Sequence, residues 1–322
     1  MTQGNFANSC LQGAPDGQHR LAQDQIPVVL TSPADMPWPV KSPFRMLPGM
    51  ARLDSARDST LDSALFTRLP NDDAYRRAKR TMLDAGYGRV GQADTVVLEM
   101  LARRYQNETG ILSGVSAHEL AASLPEDFVI LHDEADEPQE QPRFRTRFLS
   151  VCFASNWEPS QKLGLDFEQI HAPVADNQTL ISARKAIETM AFRQTSVRRF
   201  VWLLSPSARL PQFPHLRAQA WDTLLQAIEP GDPRLLDQVM FRLECQTTLP
   251  MPEIHRAVFL IRVLVCPLSE VLGLGENRPR ELAQALQSMS EAVLAYRGLT
   301  LARARLLALL SPGSAQDALG AQ

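Results

Sequence analysis

The chain has 322 residues, 44% of them apolar, and its 33 basic against 36 acidic side chains leave a net charge of only −3. That is enough material for one large or two small domains with a proper core, and no basic block stands ready to neutralise a phosphate backbone, which excludes nucleic acid as an expected partner. The longest strongly apolar stretch, Ala257 to Leu268, contains Arg262 and falls short of the roughly twenty residues a spanning helix needs, so no membrane association is expected.

Residues 1–40 come first. They are rich in Gln, Asn, Asp, Gly and Pro, lack periodicity and end in the turn-rich Ser32 to Pro39 segment, which reads as a flexible leader. It has no basic start followed by an apolar segment and is not arginine-rich, so it is no secretory or transit signal, and the protein is placed in the cytoplasm. From Asp72 to Ala85 and from Gln92 to Tyr105, apolar residues recur at three- and four-residue spacing, which predicts two amphipathic helices. The middle then changes to short apolar runs bounded by Pro, Asp and Ser, which read as strands. These are Phe128 to His132, Phe144 to Ala154, Arg199 to Ser205, Val239 to Leu249 and Ala257 to Cys266. Helices are predicted over Asn177 to Arg193 and Leu216 to Ile228, and the acidic Asp133 to Gln141 reads as a solvated loop or hairpin. From Arg280 to Leu310 the pattern is again helical with a break near Gly298, and residues 313–322 read as a frayed tail.

The sum is an α+β fold with a mainly antiparallel sheet, flanking helices and helical N- and C-terminal segments, in a single domain over residues 41–312. A doubly wound nucleotide fold is disfavoured, because Gly86 to Gly91, the nearest glycine-rich candidate, lacks the G-x-G-x-x-G spacing. Cys10, Cys152, Cys245 and Cys266 are scattered without close pairing and read as reduced, mostly buried thiols.

Among residues able to carry chemistry, His171 stands out. It lies between an apolar approach (Leu163, Leu165, Phe167, Ile170) and the turn-prone Ala172-Pro173, where a neutral imidazole could ligate iron or simply close a loop by hydrogen bonds. On the predicted strand Met240 to Thr248, alternation puts Arg242, Glu244 and Gln246 on one face, either a solvent-facing row or the wall of a polar pocket. Arg262 interrupts an apolar run, and a buried guanidinium needs an anionic partner, Glu244 or a carboxylate of a bound ligand. Trp157 and Lys162 flank the approach to His171, and Trp202 lies in the third strand; such aromatics serve a core or a flat porphyrin wall. Cys266, before Pro267, is either a buried thiol or an axial thiolate. His132, His215 and His255 sit in no supporting pattern and read as surface or loop residues, and no Ser-His-Asp order or H-E-x-x-H helix is present.

Seven ordered blocks carry a resemblance. They are PFRMLPGMARLD (Pro43 to Asp54), DDAYRRAKR (Asp72 to Arg80), VCFASNWEPSQKLGLDFEQIHAPV (Val151 to Val174), RRFVW (Arg198 to Trp202), FRLECQTTLP (Phe241 to Pro250), VFLIRVLVCPL (Val258 to Leu268) and AYRGL (Ala295 to Leu299). Over roughly residues 40–300 the chain resembles the heme-dependent oxidative N-demethylases, the dimethylamine monooxygenase large-subunit family. The resemblance implies a PAS-like sheet domain binding heme b. It implies a monooxygenase using O2 to oxidise the carbon next to the nitrogen of a small-molecule amine, releasing formaldehyde. His171 becomes the proximal iron ligand. Arg242, Glu244, Gln246 and Arg262 become propionate or substrate-pocket residues, Glu244 being suited to hold a protonated amine, and Trp157 and Lys162 flank the cofactor. No flavin, nicotinamide or iron–sulfur motif is present, so electrons come from a separate reductase or ferredoxin-like protein, with homo- or hetero-oligomers open. The chain departs from the family pattern at Cys245, Val201 and Ala175, where the family has arginine, asparagine and proline. The competing reading is an inactive PAS-like heme sensor, scaffold or partner subunit.

Overall fold

The structure, a computed structural model, describes residues 21–53, 64–66, 68–137, 140–216 and 220–310. Cys10, the first half of the expected leader and the expected tail lie outside the described residues.

Two helices form where periodicity places them. Helix α1 (Asp72–Asp84) buries Tyr75, Ala78, Met82 and Leu83 along one side. Helix α2 (Thr95–Thr109) starts where the Asp94 carboxylate accepts from the Val96 and Val97 N–H groups, and it ends at Gly110 in the left-handed region (φ 74°). A short α3 (Ala117–Ser123), capped by the reciprocal Ser116 and Glu119 bonds, was not legible as a helix because it spans barely two turns.

The described strands are β1 (Ala51–Arg52), β2 (Arg89–Gly91), β3 (Asp127–Asp133), β4 (Phe144–Ser150), β5 (Val197–Ser205), β6 (Met240–Met251) and β7 (Arg256–Pro267). They form one antiparallel sheet in the order β1-β5-β6-β7-β3-β4-β2. With its flanking helices this is an α+β fold. The second predicted strand stops at Ser150 instead of reaching Ala154, because the buried Asp127 carboxylate takes the Cys152 and Phe153 N–H groups at 3.0 and 2.8 Å and turns the chain out of the ladder. Lys79 of α1, fully buried, completes that junction 3.3 Å from Asp127.

Between β4 and β5 run α4 (Phe167–His171), α5 (Gln178–Ser182) and α6 (Arg184–Arg193). The predicted continuous helix over Asn177 to Arg193 is thus broken at Ala183. Helices α7 (Trp221–Ala227) and α8 (Leu235–Gln238) precede β6, and α9 (Leu268–Leu272), α10 (Arg278–Ser288), α11 (Glu291–Tyr296) and α12 (Arg303–Leu310) follow β7. The chain breaks where predicted, at Gly298 (φ 67°).

Facing residues of an antiparallel ladder project to the same side, so the register defines two faces. Phe241, Leu243 and Cys245 share a side with Leu204, Trp202 and Phe200 of β5 and with Cys266, Leu264 and Arg262 of β7. Much of that side is sealed: Phe241, Leu243, Leu264 and Cys266 cluster with Leu282, Leu286, Leu294 and Leu306 of the C-terminal helices. Arg242, Glu244 and Gln246 take the opposite side with Leu203, Val201 and Arg199 of β5.

The expected leader is not free throughout. Among residues 21–40, Ile26, Val29, Met36 and Val40 are buried, the Thr31 N–H donates to the Val265 carbonyl at 2.7 Å, and the Trp38 ring stacks on Phe241 at 5.3 Å. The segment lacks periodicity because it lies as an extended strap over the sheet and never forms a helix face of its own.

Candidate functional site

The apolar approach to Ala172-Pro173 contains a short helix, α4. Asp166 caps α4 by accepting from the Gln169 N–H at 2.9 Å while the Gln169 side chain reaches back, and this places His171 at the last helical position. The Nδ1 atom of His171 lies 2.7 Å from the Phe167 carbonyl oxygen. A carbonyl only accepts, so Nδ1 carries the proton and the Nε2 lone pair is left available. The ring rests against Phe167 at 4.2 Å, and Asn177 Nδ2 donates to the His171 carbonyl at 2.9 Å. Burial pushes the His171 pKa down to about 4, with the cations Arg199 and Lys162 adding to the effect.

One expectation follows on pH. Between about 6.5 and about 4 the unfolded chain takes up a proton at this position and the folded one does not, so stability is complete above that window and falls as pH drops through it. His132, lowered to about 4 chiefly by burial, acts in the same direction. A His171→Gln variant is therefore expected to show a shallower loss of unfolding free energy between pH 6.5 and 4 in denaturant titrations; an unchanged slope would refute the buried, neutral imidazole.

The polar strand face forms a connected network. Arg199 Nε donates to Gln246 Oε1 at 2.6 Å, and Gln246 Nε2 donates to Glu244 Oε2 at 2.8 Å. Ser155 Oγ donates to Glu244 Oε1 at 2.7 Å and accepts from Arg242 Nε at 2.9 Å. The fully buried Arg242 also donates to the carbonyls of Phe153, Leu210 and Arg209, at 2.6, 2.9 and 3.2 Å. Its donors are thus spent on backbone, and it clamps the Phe153–Ser155 and Arg209–Leu210 segments against β6. Arg199, Val201, Leu203 and Glu244 are only half-buried, so this face stays open where the other is sealed. Lys162 Nζ, whose pKa burial lowers, donates to the Ile170 carbonyl at 3.1 Å and so reaches the helix that carries His171.

For Arg262 the expected pairing with Glu244 is corrected, while its buried Nε and Nη1 meet no acceptor among the described residues. Because Cys245 pairs with Arg262, the guanidinium projects from the side opposite Glu244 and cannot take it as partner. Its charge is met by Asp72 of α1 at 2.7 Å, and it lies 4.0 Å over the Tyr75 ring. Replacing Arg262 with methionine is expected to lower stability by about 2–3 kcal/mol while leaving cofactor content unchanged; loss of cofactor without loss of stability would restore the sequence-based reading.

Trp202 is core: it is buried, stacks on Phe241 at 6.2 Å and meets Phe44 edge-on at 5.8 Å. Trp157 is half-buried and packs against the larger cluster. The Cys266 thiol lies 3.8 Å from Glu270, and burial pushes its pKa to about 12, so a thiolate there is disfavoured. His255 is exposed in the left-handed region (φ 54°) between β6 and β7, as a loop histidine should be. His215 departs from that reading, stacking on Tyr87 and Phe213 with its Nδ1 2.5 Å from Glu158. His132 is in β3. Of the three positions that depart from the resembled pattern, Val201 faces Glu244 directly, whereas Cys245 points to the other side.

Sequence reasoning missed Arg199, Ser155 and Tyr296. The first carried a weaker signal than Arg262, since it stands beside Arg198 at the start of the apolar run Phe200 to Leu204 and does not interrupt it. Ser155 had none, since its position depends on the turn that Asp127 enforces. Tyr296, electrostatically coupled to Glu244 and Arg199, arrives from the distant α11.

A cavity of about 460 Å³ lies along β2, β3 and β4 next to the Lys162 segment, lined by Gly91, Asp94, His132, Thr146, Arg147 and Leu163 among others, and His171 is not part of it. No group of three or more potential metal ligands occurs among the described residues, but a porphyrin iron asks for a single axial group from the protein. No helix among the described residues is long and apolar enough to cross a membrane. No curated protein matches the chain. A family model described as haem-dependent oxidative N-demethylase, alpha subunit-like, matches residues 95–307.

Proposed function

We propose, from the premise that this chain belongs to the haem-dependent oxidative N-demethylase, alpha subunit-like family, that it binds heme b through His171 and oxidises an N-methyl amine. The observation that carries this reading is the imidazole itself: neutral at pH 7, fixed by its Nδ1–H bond to Phe167, with Nε2 free. That is the state in which an imidazole nitrogen would hold iron, since the outer hydrogen bond fixes both tautomer and ring direction. The residues present therefore fit the group.

Bound heme would supply oxygen activation, in a net reaction that turns an N-methyl amine, O2, two electrons and two protons into the demethylated amine, formaldehyde and water. The chain's own residues do the rest. His171 fixes the cofactor's position. Lys162, with two donor positions beyond its bond to Ile170, is suited to a propionate. Glu244 and Gln246 form the polar wall of the substrate pocket. Arg242 acts through Ser155, orienting the Glu244 carboxylate. Trp157 packs beside the segment that carries these groups. Asp72 answers the charge of Arg262 through Nη2, which suits it to holding the fold together first of all.

Electrons come from a separate reductase or ferredoxin-like protein that carries any nicotinamide, flavin or iron–sulfur group. The alpha subunit-like description is compatible with assembly with other subunits. The PAS-like reading of the sheet and a cytoplasmic site of action belong to the same proposal.

The test is spectroscopic first. Full-length protein supplied with heme is expected to show a Soret band with an imidazole ligation signature; its absence would end the reading. Reduced anaerobically, then given O2 and N-methyl amines, it is expected to release formaldehyde in proportion to electrons supplied. Heme uptake without formaldehyde from any amine would leave a heme-binding sensor or scaffold.

A further inference from the structure

The charges around Glu244 do not suit a simple alkylammonium ion. Arg199, Arg242 and Arg297 all act electrostatically on this one carboxylate. Each of its oxygens accepts one hydrogen bond, from Ser155 and Gln246, and keeps a second lone pair. A lone cation entering here meets three guanidinium groups for one carboxylate, and the like-charge repulsion opposes it.

The three arginines differ in what they have left to offer. Arg242 is fully buried and spent on Ser155 and three backbone carbonyls. Arg297 is drawn away, donating to the Trp202 carbonyl at 2.5 Å and lying over the rings of Phe44 and Trp202. Arg199 and Arg297 are both half-buried, but among the three only Arg199 has its fork available. Its Nε is held by Gln246, and its two terminal nitrogens meet no acceptor among the described residues. A guanidinium fixed at Nε with both terminal N–H pairs free is the geometry that binds a carboxylate in a two-pronged fashion. Gln246 bridges this fork to Glu244, so a cation site and an anion site stand one amide apart on the same face of the sheet. Val201, directly across from Glu244, and Leu203 beyond it give that face its apolar surface.

We propose that the amine accepted at this site carries a carboxylate, that is, an N-methyl amino acid, with Arg199 binding the carboxylate and Glu244 the ammonium group. This rests on the amine-oxidation reading of the same pocket. Such a zwitterion brings its own negative charge to the excess of arginines, and Arg199 selects it over an alkylamine of equal size. Arg199 is thus a specificity residue.

The experiment compares N-methylglycine, its methyl ester and dimethylamine by calorimetric titration of the full chain, with and without heme, alongside Arg199→Met and Arg199→Lys. The ester keeps the ammonium and loses the carboxylate. The wild type is expected to bind N-methylglycine at least about tenfold more tightly than the other two, the size of one good charge-assisted bond. Arg199→Met is expected to erase that preference at unchanged heme content, and Arg199→Lys to keep part of it. Equal affinities for the three compounds, or a preference that survives in Arg199→Met, would overturn the proposal. So would loss of heme from Arg199→Met, which would move the arginine to a propionate. Failure of the wild type to take up heme, with the preference intact in the heme-free chain, would strike the oxidase reading and leave the zwitterion site standing.

Discussion

Replacing His171 with alanine is expected to remove the axial imidazole and with it most of the affinity for heme, while the protein remains folded. Residues that merely orient a metal ligand are worth about 10–100-fold in affinity, so loss of the ligand itself lies at or beyond the top of that range. The fold has little at stake. The side chain ends a five-residue helix and makes one hydrogen bond, to Phe167 in its own turn, and the Asp166 cap and the Asn177 bond to the His171 carbonyl are both independent of the ring. Heme titration followed in the Soret region, with added imidazole to occupy the vacated position, separates loss of a ligand from loss of a fold. A variant whose spectrum and heme affinity match the wild type would show that His171 does no more than close its own turn.

Replacing Arg242 with methionine is expected to cost about 3–5 kcal/mol of unfolding free energy, the range for removing one member of a buried charged network. That is a large part of the 5–15 kcal/mol or so by which a domain is ordinarily stable. The loss comes from what the guanidinium leaves behind. The carbonyls of Phe153, Leu210 and Arg209 lose a donor in an interior where water cannot replace it, and Ser155 loses the bond that orients it toward Glu244. Arg242→Lys is expected to recover only a small part, since a point-like ammonium cannot span a hydroxyl and three carbonyls that converge from two segments. Chemical denaturation reads the difference directly; a change below about 1 kcal/mol in the methionine variant would mean that the two segments hold their places without the clamp. Because Arg242 touches the pocket only through Ser155, heme retained at reduced stability would separate its role from that of His171.

Much of the frame was readable before the coordinates. The helices beginning at Asp72 and near Thr95 follow from periodicity, and the strands now seen as β3, β5, β6 and β7 follow from apolar runs of the right length. Where the reading went astray, a contact from elsewhere in the chain had overridden local pattern. Two carboxylate oxygens of Asp127 end β4 early, and residues 21–40 pack by contacts with β7, Phe241 and α10 that no local window contains.

Arg242, Glu244 and Gln246 share a face as their alternation requires, and that much belongs to the amino-acid sequence, because within one strand the pleat repeats every two residues. Which side Arg262 takes relative to them is a different kind of question. It depends on how β7 is registered against β6, set at a hairpin whose turn, Pro252 to His255, ends in a residue at φ 54°. A slip of one residue would turn every side chain of β7 over and bring Arg262 to Glu244's side. The chemistry of each strand was therefore determined locally. The partners of its charges, Asp72 for Arg262 and the Arg199–Gln246–Glu244–Ser155 chain for the pocket, were decided by tertiary register and by segments that meet only when the sheet has closed.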